Sequence, residues 1–317
     1  MADEHAPHLA ATLAERPLGG VETAFALLAD AFAQRGHAVR QTRGGDDGAA
    51  DLVIANRVPR LFAGLPRRGR RVLWLHNPAG YLAKPRHAWP LLRARPVLVT
   101  LGAAHAATLP WWLPGRRVQI PLAVAPPFDA PTPPRQPPAP VAVFTSNPLR
   151  GLDWLLRVWA ERIAPAVPGA ELHCYTGAAT YGGDARLAAR AAPVLAQAAA
   201  TPGVRLFAPL PRAALREKLL AARCMLYRGD AGETFCLALA EAQALGLPCV
   251  VTRLGAVAER VVDGATGMVA PDEAGFAAAI ALLRQDAPWA AMHAAALARG
   301  PGPNWQDVAA AFEGLLA

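Results

Sequence analysis

The chain has 317 residues, 53% of them hydrophobic and 18% charged, a balance that excludes a disordered chain and supplies core for about two domains. The 31 prolines and 27 glycines follow no three-residue period, which excludes collagen, and four cysteines in no metal-ligand spacing point to a reduced, cytoplasmic setting. The net charge is +8, and all of the excess lies early: residues 1–128 hold 16 Lys/Arg against 8 Asp/Glu, the remainder 16 against 16.

Six arginines fall between Arg57 and Arg71. Such a run suits an anionic membrane surface, a phosphorylated substrate or nucleic acid, and it suits a plain solvated face equally well. No recognition motif or stacking-aromatic pattern accompanies it, so no nucleic-acid partner is expected. Asp3, Glu4 and Glu15 with no basic stretch argue against a signal peptide. The longest uncharged stretch, Pro96–Gly115, is broken by Pro110 and Pro114 and reads as a buried strand and turn rather than a membrane span.

In chain order, His8–Leu13 is a weak first strand and Val21–Gln34 a helix stopped by Gly36. Strands follow at His37–Gln41, Asp51–Ala55, Arg71–Leu75, Pro96–Thr100 and Val118–Leu122. The proline-rich segment Pro126–Pro140 is the best boundary, giving domains 1–127 and 128–317, with a terminal helix near 305–317 returning to the first. Beyond it strands are expected at Val141–Thr145, Glu171–Tyr175, Val204–Phe207, Cys224–Tyr227, Pro248–Thr252 and Gly267–Val269. Helices fit between, at about 151–166, 184–199, 211–222, 234–245 and 256–262. Two doubly wound, Rossmann-like parallel-sheet α/β domains facing a cleft are the economical reading.

Four pieces carry chemistry. Gly19-Gly20 before a helix lets a ligand approach the backbone and presents free N–H groups to an anion. His76 ends an apolar strand, on the edge where open α/β sheets bind ligands. Thr145-Ser146-Asn147-Pro148-Leu149-Arg150 joins a strand to a helix and converges hydroxyls with a guanidinium, a grouping suited to a diphosphate. The strongest is Arg228–Ala242: Glu233 stands at a strand-to-helix turn, and Glu241 interrupts an apolar run in which a carboxylate must be paired or hold a ligand. On a continuous helix residues eight apart lie about 80° apart, roughly on one side.

The Glu-x7-Glu element of Glu233 and Glu241, followed by Ala242–Val251, resembles the donor-site signature of the retaining glycosyltransferases of family four, which have the GT-B fold. The resemblance runs through Gly19–Glu22, Arg35–Val39, His76-Asn77, Arg150-Gly151, Glu259, Asp263-Gly264 and Thr266-Gly267, nearly the whole chain. It implies a nucleotide-sugar donor, with Glu241 on the ribose and Glu233 beside the transferred sugar. It also implies sugar or phosphate contacts from Thr234, Phe235, Cys236 and Leu237, a diphosphate held by Arg150 with Gly19 and Gly20, and a sugar contact from His76.

Two departures stand out. An arginine usual in the family about five residues before Arg150 is replaced by Thr145 or Ser146, a loss for which Arg228 can compensate. The glycine-rich Glu-Gly-Phe-Gly form is here Glu-Thr-Phe-Cys. The resemblance implies no cofactor and no metal, and the sequence has no D-x-D motif. Transfer with retention is open to same-face attack or double displacement. The acceptor is expected to be an envelope glycan, a lipid-linked or a small molecule, reached in the cytoplasm or at the inner face of a membrane. A catalytically weak or inactive binding subunit is the alternative.

Overall fold

The computed structural model describes residues 1–5, 7–11, 13, 19–45, 48–177 and 185–317. Four strands form a parallel sheet in chain order: β1 (Leu52–Asn56), β2 (Arg70–Trp74), β3 (Val97–Thr100) and β4 (Arg117–Gln119). Alternate residues serve its two faces, as the strand period of two requires. Ile54, Val72, Trp74 and Val99 meet helix α1 (Gly20–Gln34), while Val53, Leu73, Leu75 and Leu98 meet Phe62, Leu82 and Leu113 together with Leu91 of helix α2 (Pro85–Ala94).

The second sheet is also wholly parallel. It comprises β5 (Val141–Phe144), β6 (Glu171–Tyr175), β7 (Val204–Phe207), β8 (Cys224–Gly229), β9 (Cys249–Leu254) and β10 (Gly267–Val269), in the spatial order β10-β9-β8-β5-β6-β7. Helices α3 (Leu152–Val158), α4 (Ala185–Ala200), α5 (Arg212–Leu220), α6 (Leu237–Ala244), α7 (Ala279–Arg284) and α8 (Asp286–Arg299) alternate with or follow these strands. The order reverses between β5 and β8, and ligands of open α/β sheets bind outside the strand ends at such a switch point.

The last helix, α9 (Trp305–Glu313), packs on the first sheet. Phe312 meets Trp74 at 5.4 Å and Phe32 at 6.4 Å, and Glu313 accepts from Arg35 Nε at 2.6 Å and pairs with His37 Nε2 at 2.7 Å. Its start is fixed by a capping box between Asn304 and Asp307.

Two strands expected from the sequence do not form. His37–Gln41 has no sheet partner and lies mostly exposed; the chain instead makes single bridges from Ala2 to Thr42 and Ala55. Within His8–Leu13 the described residues are turn or coil, apart from a helical Leu13. The edge strand is shorter than Val118–Leu122, and the helix placed at 234–245 begins three residues later, at Leu237. The first residue of the helix placed at 184–199 lies outside the described residues.

Candidate active site

The carboxyl ends of β5 and β8 open into a cleft of about 370 Å³ that the first domain closes from the other side. Gly19, Gly20, Glu22, Arg57 and His76 come from the first domain; Thr145, Ser146, Arg150, Arg212, Glu233, Thr234, Phe235, Cys236, Leu237 and Glu241 come from the second. Twelve of the fourteen residues chosen from the sequence are therefore brought together. Asn147 and Arg228 are not.

Asn147 turns inward, its side-chain oxygen accepting the Leu149 N–H at 2.9 Å. The register of β8 against β9 shifts between Tyr227 and Gly229, and the Arg228 guanidinium lies over the Trp154 ring at 5.3 Å, outside the cleft lining.

Helix α6 starts late because Cys236 adopts a left-handed conformation, φ 67°, which costs a non-glycine residue about 1 kcal/mol or more. This is the last position of Glu-Thr-Phe-Cys, where the family's form has glycine. A tight turn, and not two turns of one helix, therefore sets Glu233 beside Glu241. The free N–H groups of α6 are those at Leu237 and just beyond. Facing them is the start of α1, so close that a Cβ on Gly20 would stand 3.2 Å from Leu237 Cδ1. Two helix N-termini thus converge on one space, and both favour negative charge.

Each acidic residue of the pair has an arginine. Glu233 is buried and bonded by Arg150 and by the Tyr227 hydroxyl. Glu241 is buried and paired with Arg212, which also donates from Nε to the Pro126 carbonyl at 3.3 Å and lies over the Phe128 ring at 5.2 Å. Burial raises the Glu241 carboxyl above its usual value, and Arg212 works against the rise.

On the opposite wall His76 lies against Trp74, the rings tilted at 59° with centroids 4.4 Å apart; its carbonyl accepts the Thr234 hydroxyl at 2.7 Å, and its Nε2 is buried with no protein partner. An unpaired buried ring nitrogen is a ready contact for a ligand hydroxyl. Beside it Arg57 reaches Asp3 at 2.9 Å and Glu22 at 3.5 Å. Burial alone would raise the Asp3 carboxyl, but the His5 N–H, Arg57 and Asn56 outweigh it and hold it below its usual value.

Arg57 thus leaves the surface patch that the sequence assigned to it. Sequence reasoning also missed Arg212 and Tyr227. Arg212 carried a signal: it opens a helix, where the dipole disfavours a cation, so a different partner must hold it there. Among the described residues no three metal-ligating side chains cluster.

His76 sits well below its usual value of 6.5, through burial first and then the charges of Arg57 and His105; His105 and His293 are also lowered, by burial first. The unfolded chain therefore takes up protons that the folded protein resists. Stability is full above about pH 6.5 and falls as the pH drops below it. The thermal midpoint is expected to be several degrees lower near pH 5.5 than near pH 7.5, with His76→Gln shrinking the gap. Equal midpoints at the two pH values would contradict this account.

Residues 139–286 match the family model described as Glycosyl transferases group 1. No curated protein sequence matches the chain. The fold is similar to that of sucrose-phosphate synthase from Thermosynechococcus elongatus, at 15% identity over 95% of this chain and 94% of that one, TM-score 0.72. It is also similar to a structure described as trehalose-6-phosphate from E. coli bound with UDP-2-fluoro glucose (14% identity, 84% of this chain, 74% of that one, TM-score 0.64). A third is the pneumococcal O-GlcNAc transferase GtfA in complex with UDP and GlcNAc (18%, 84% of this chain, 56% of that one, TM-score 0.62). This chain spans little more than half of that transferase's length. Two parallel-sheet domains meeting at this cleft are the GT-B architecture. The glycosyltransferase match thus falls on the second domain, within a chain of GT-B fold.

Proposed function

We propose that the protein moves a sugar, with retention and without a metal ion, from a nucleoside-diphosphate sugar to a glycan, lipid-linked or small-molecule acceptor. One observation carries this reading: two helix N-termini, Arg150 and the Arg-paired Glu233 and Glu241 share a single cleft with His76. In this reading Glu241 accepts from the ribose diol. Pro209, Leu210 and Leu215 supply an apolar wall for the base. Arg150 and the facing helix starts at Gly20 and Leu237 neutralise the diphosphate, which is the task a metal performs elsewhere.

His76, neutral because it is buried, contacts a sugar hydroxyl through Nε2. As the bond from the anomeric carbon to the diphosphate breaks, positive charge grows on the sugar, and the Glu233 carboxylate stabilises it. The acceptor oxygen bonds to that carbon from the face the diphosphate leaves. Its proton passes to a diphosphate oxygen, and nucleoside diphosphate departs.

Incubation with UDP-glucose, UDP-N-acetylglucosamine and GDP-mannose tests the donor. At 100 times its dissociation constant a true donor stabilises the fold by about 2.7 kcal/mol. Turnover is expected to survive EDTA. Activity lost to EDTA and restored by Mg²⁺ would overturn the metal-free reading, and binding without turnover would favour the inactive subunit.

The reading includes peripheral attachment to an anionic membrane from the cytoplasmic side. No helix among the described residues is long and apolar enough to cross a membrane. Trp89, Leu92, Trp111 and Trp112 are 70%, 46%, 86% and 44% exposed, all in the first domain. Nearby, Arg67, Arg70, Arg71, Arg93 and Arg95 line one surface hollow with Asp51 as the only acid. Exposed indole rings beside guanidinium groups suit the headgroup layer, where each basic residue contributes roughly 1 kcal/mol. The protein is expected to co-sediment with phosphatidylserine vesicles at low salt and much less with phosphatidylcholine vesicles. Binding is expected to be lost when Arg67, Arg68, Arg70 and Arg93 become Ser. Equal recovery on both vesicles, or none on either, would remove the membrane from the reading.

A further inference from the structure

Strand β8 reads Cys224-Met225-Leu226-Tyr227, and these four residues are fully buried. A phenol within it puts an oxygen beneath an apolar layer, which is unfavourable unless that oxygen is hydrogen-bonded. It is bonded on both sides, accepting from Ser146 Oγ at 3.2 Å and donating to Glu233 Oε1. Ser146 is itself tied down, its carbonyl accepting the Thr176 hydroxyl at 2.5 Å. Arg150 reaches the same Glu233 oxygen from the cleft side.

The two donors to Oε1 differ in freedom. Arg150 has a side chain 38% exposed at the cleft, and a diphosphate competes with Glu233 for it. Tyr227 is enclosed, its ring 5.8 Å from that of Phe144, and it cannot turn away. Resting on the donor reading above, the geometry points to Tyr227 as a positioning residue that keeps the Glu233 carboxylate aimed at the transferred sugar when the donor draws Arg150 to its diphosphate. The phenol remains a donor throughout, because burial first, and then Cys236 and Glu233, push it well above its usual value of 10. Phenylalanine at this position retains the ring and removes only the bond.

The test uses the full chain and hydrolysis of UDP-glucose, UDP-N-acetylglucosamine and GDP-mannose, following whichever the unaltered protein turns over. Tyr227→Phe is expected to lower kcat roughly ten- to a hundredfold, the loss of a hydrogen bond to a charged group. KM stays near its original value, and the thermal midpoint falls by only a few degrees, because Arg150 still bonds the same Glu233 oxygen. In a Glu233→Ala background the same substitution changes kcat by less than about twofold, because the phenol acts through that carboxylate. A Tyr227→Phe enzyme of full activity, or an equal loss in both backgrounds, would overturn the role. Turnover of none of the three sugars by the unaltered protein would instead overturn the donor reading, and this role with it.

Discussion

Glu241→Ala is expected to bind UDP roughly ten- to a hundredfold more weakly than the unaltered protein, because a carboxylate bonding a diol contributes about 1.5–3 kcal/mol. It is also expected to be less stable. Glu241 neutralises Arg212, whose side chain is only 14% exposed, and removing one partner of a buried pair costs about 3–5 kcal/mol. The loss falls at the low end of that range, since Arg212 retains the Pro126 carbonyl and the Phe128 ring.

A second substitution separates the two effects. Arg212→Met in the Glu241→Ala background removes the stranded cation and recovers stability, while affinity stays low. Calorimetry with UDP and thermal melts of both variants read the outcome. Unchanged affinity in a folded Glu241→Ala protein would end the assignment of Glu241 to the ribose.

Both domains read as parallel α/β from the sequence, but their detail was unequally legible. Glu171–Tyr175, Val204–Phe207 and Gly267–Val269 form as expected, each a short segment in parallel register with its neighbour, with Leu172, Cys174, Val204 and Val269 buried. His37–Gln41 looks similar locally, yet it lies mostly exposed, touching the core through Val39 and the His37 ring, and the sheet edge is met by Ala2 instead. Local preference lost to tertiary context.

At the site, residue types were legible and their partners were not. Glu241 stood out because a carboxylate in an apolar run demands a partner, and Glu233 because it stands at a strand-to-helix turn eight residues before it. Which arginines supply them depends on the loop after β5 and the helix after β7, which meet only once the order of strands is known. Tyr227 passed for core because it ends the apolar run Cys224–Tyr227; its bond to Glu233 exists only in three dimensions. Cys236 hid its left-handed turn for a related reason, since nothing local requires a cysteine to adopt one.

Glu233→Gln is expected to reduce kcat by roughly a hundred- to a thousandfold, the range seen when one preorganised electrostatic contact to a transition state is removed. Glutamine retains the shape and an oxygen to accept from Tyr227, so the fold and the approach of the sugar persist. What disappears is the negative charge beside the anomeric carbon, which matters only as positive charge develops there. Affinity for the donor is therefore expected to move little. It can even rise slightly, because Arg150 is released from its ion pair and is left wholly to the diphosphate. Steady-state kinetics with the donor found in the screen, beside calorimetry with the same sugar nucleotide, separate the two quantities. Equal losses in affinity and in turnover would make Glu233 a uniform binding residue, and the charge at the reaction centre would have to be sought elsewhere in the cleft.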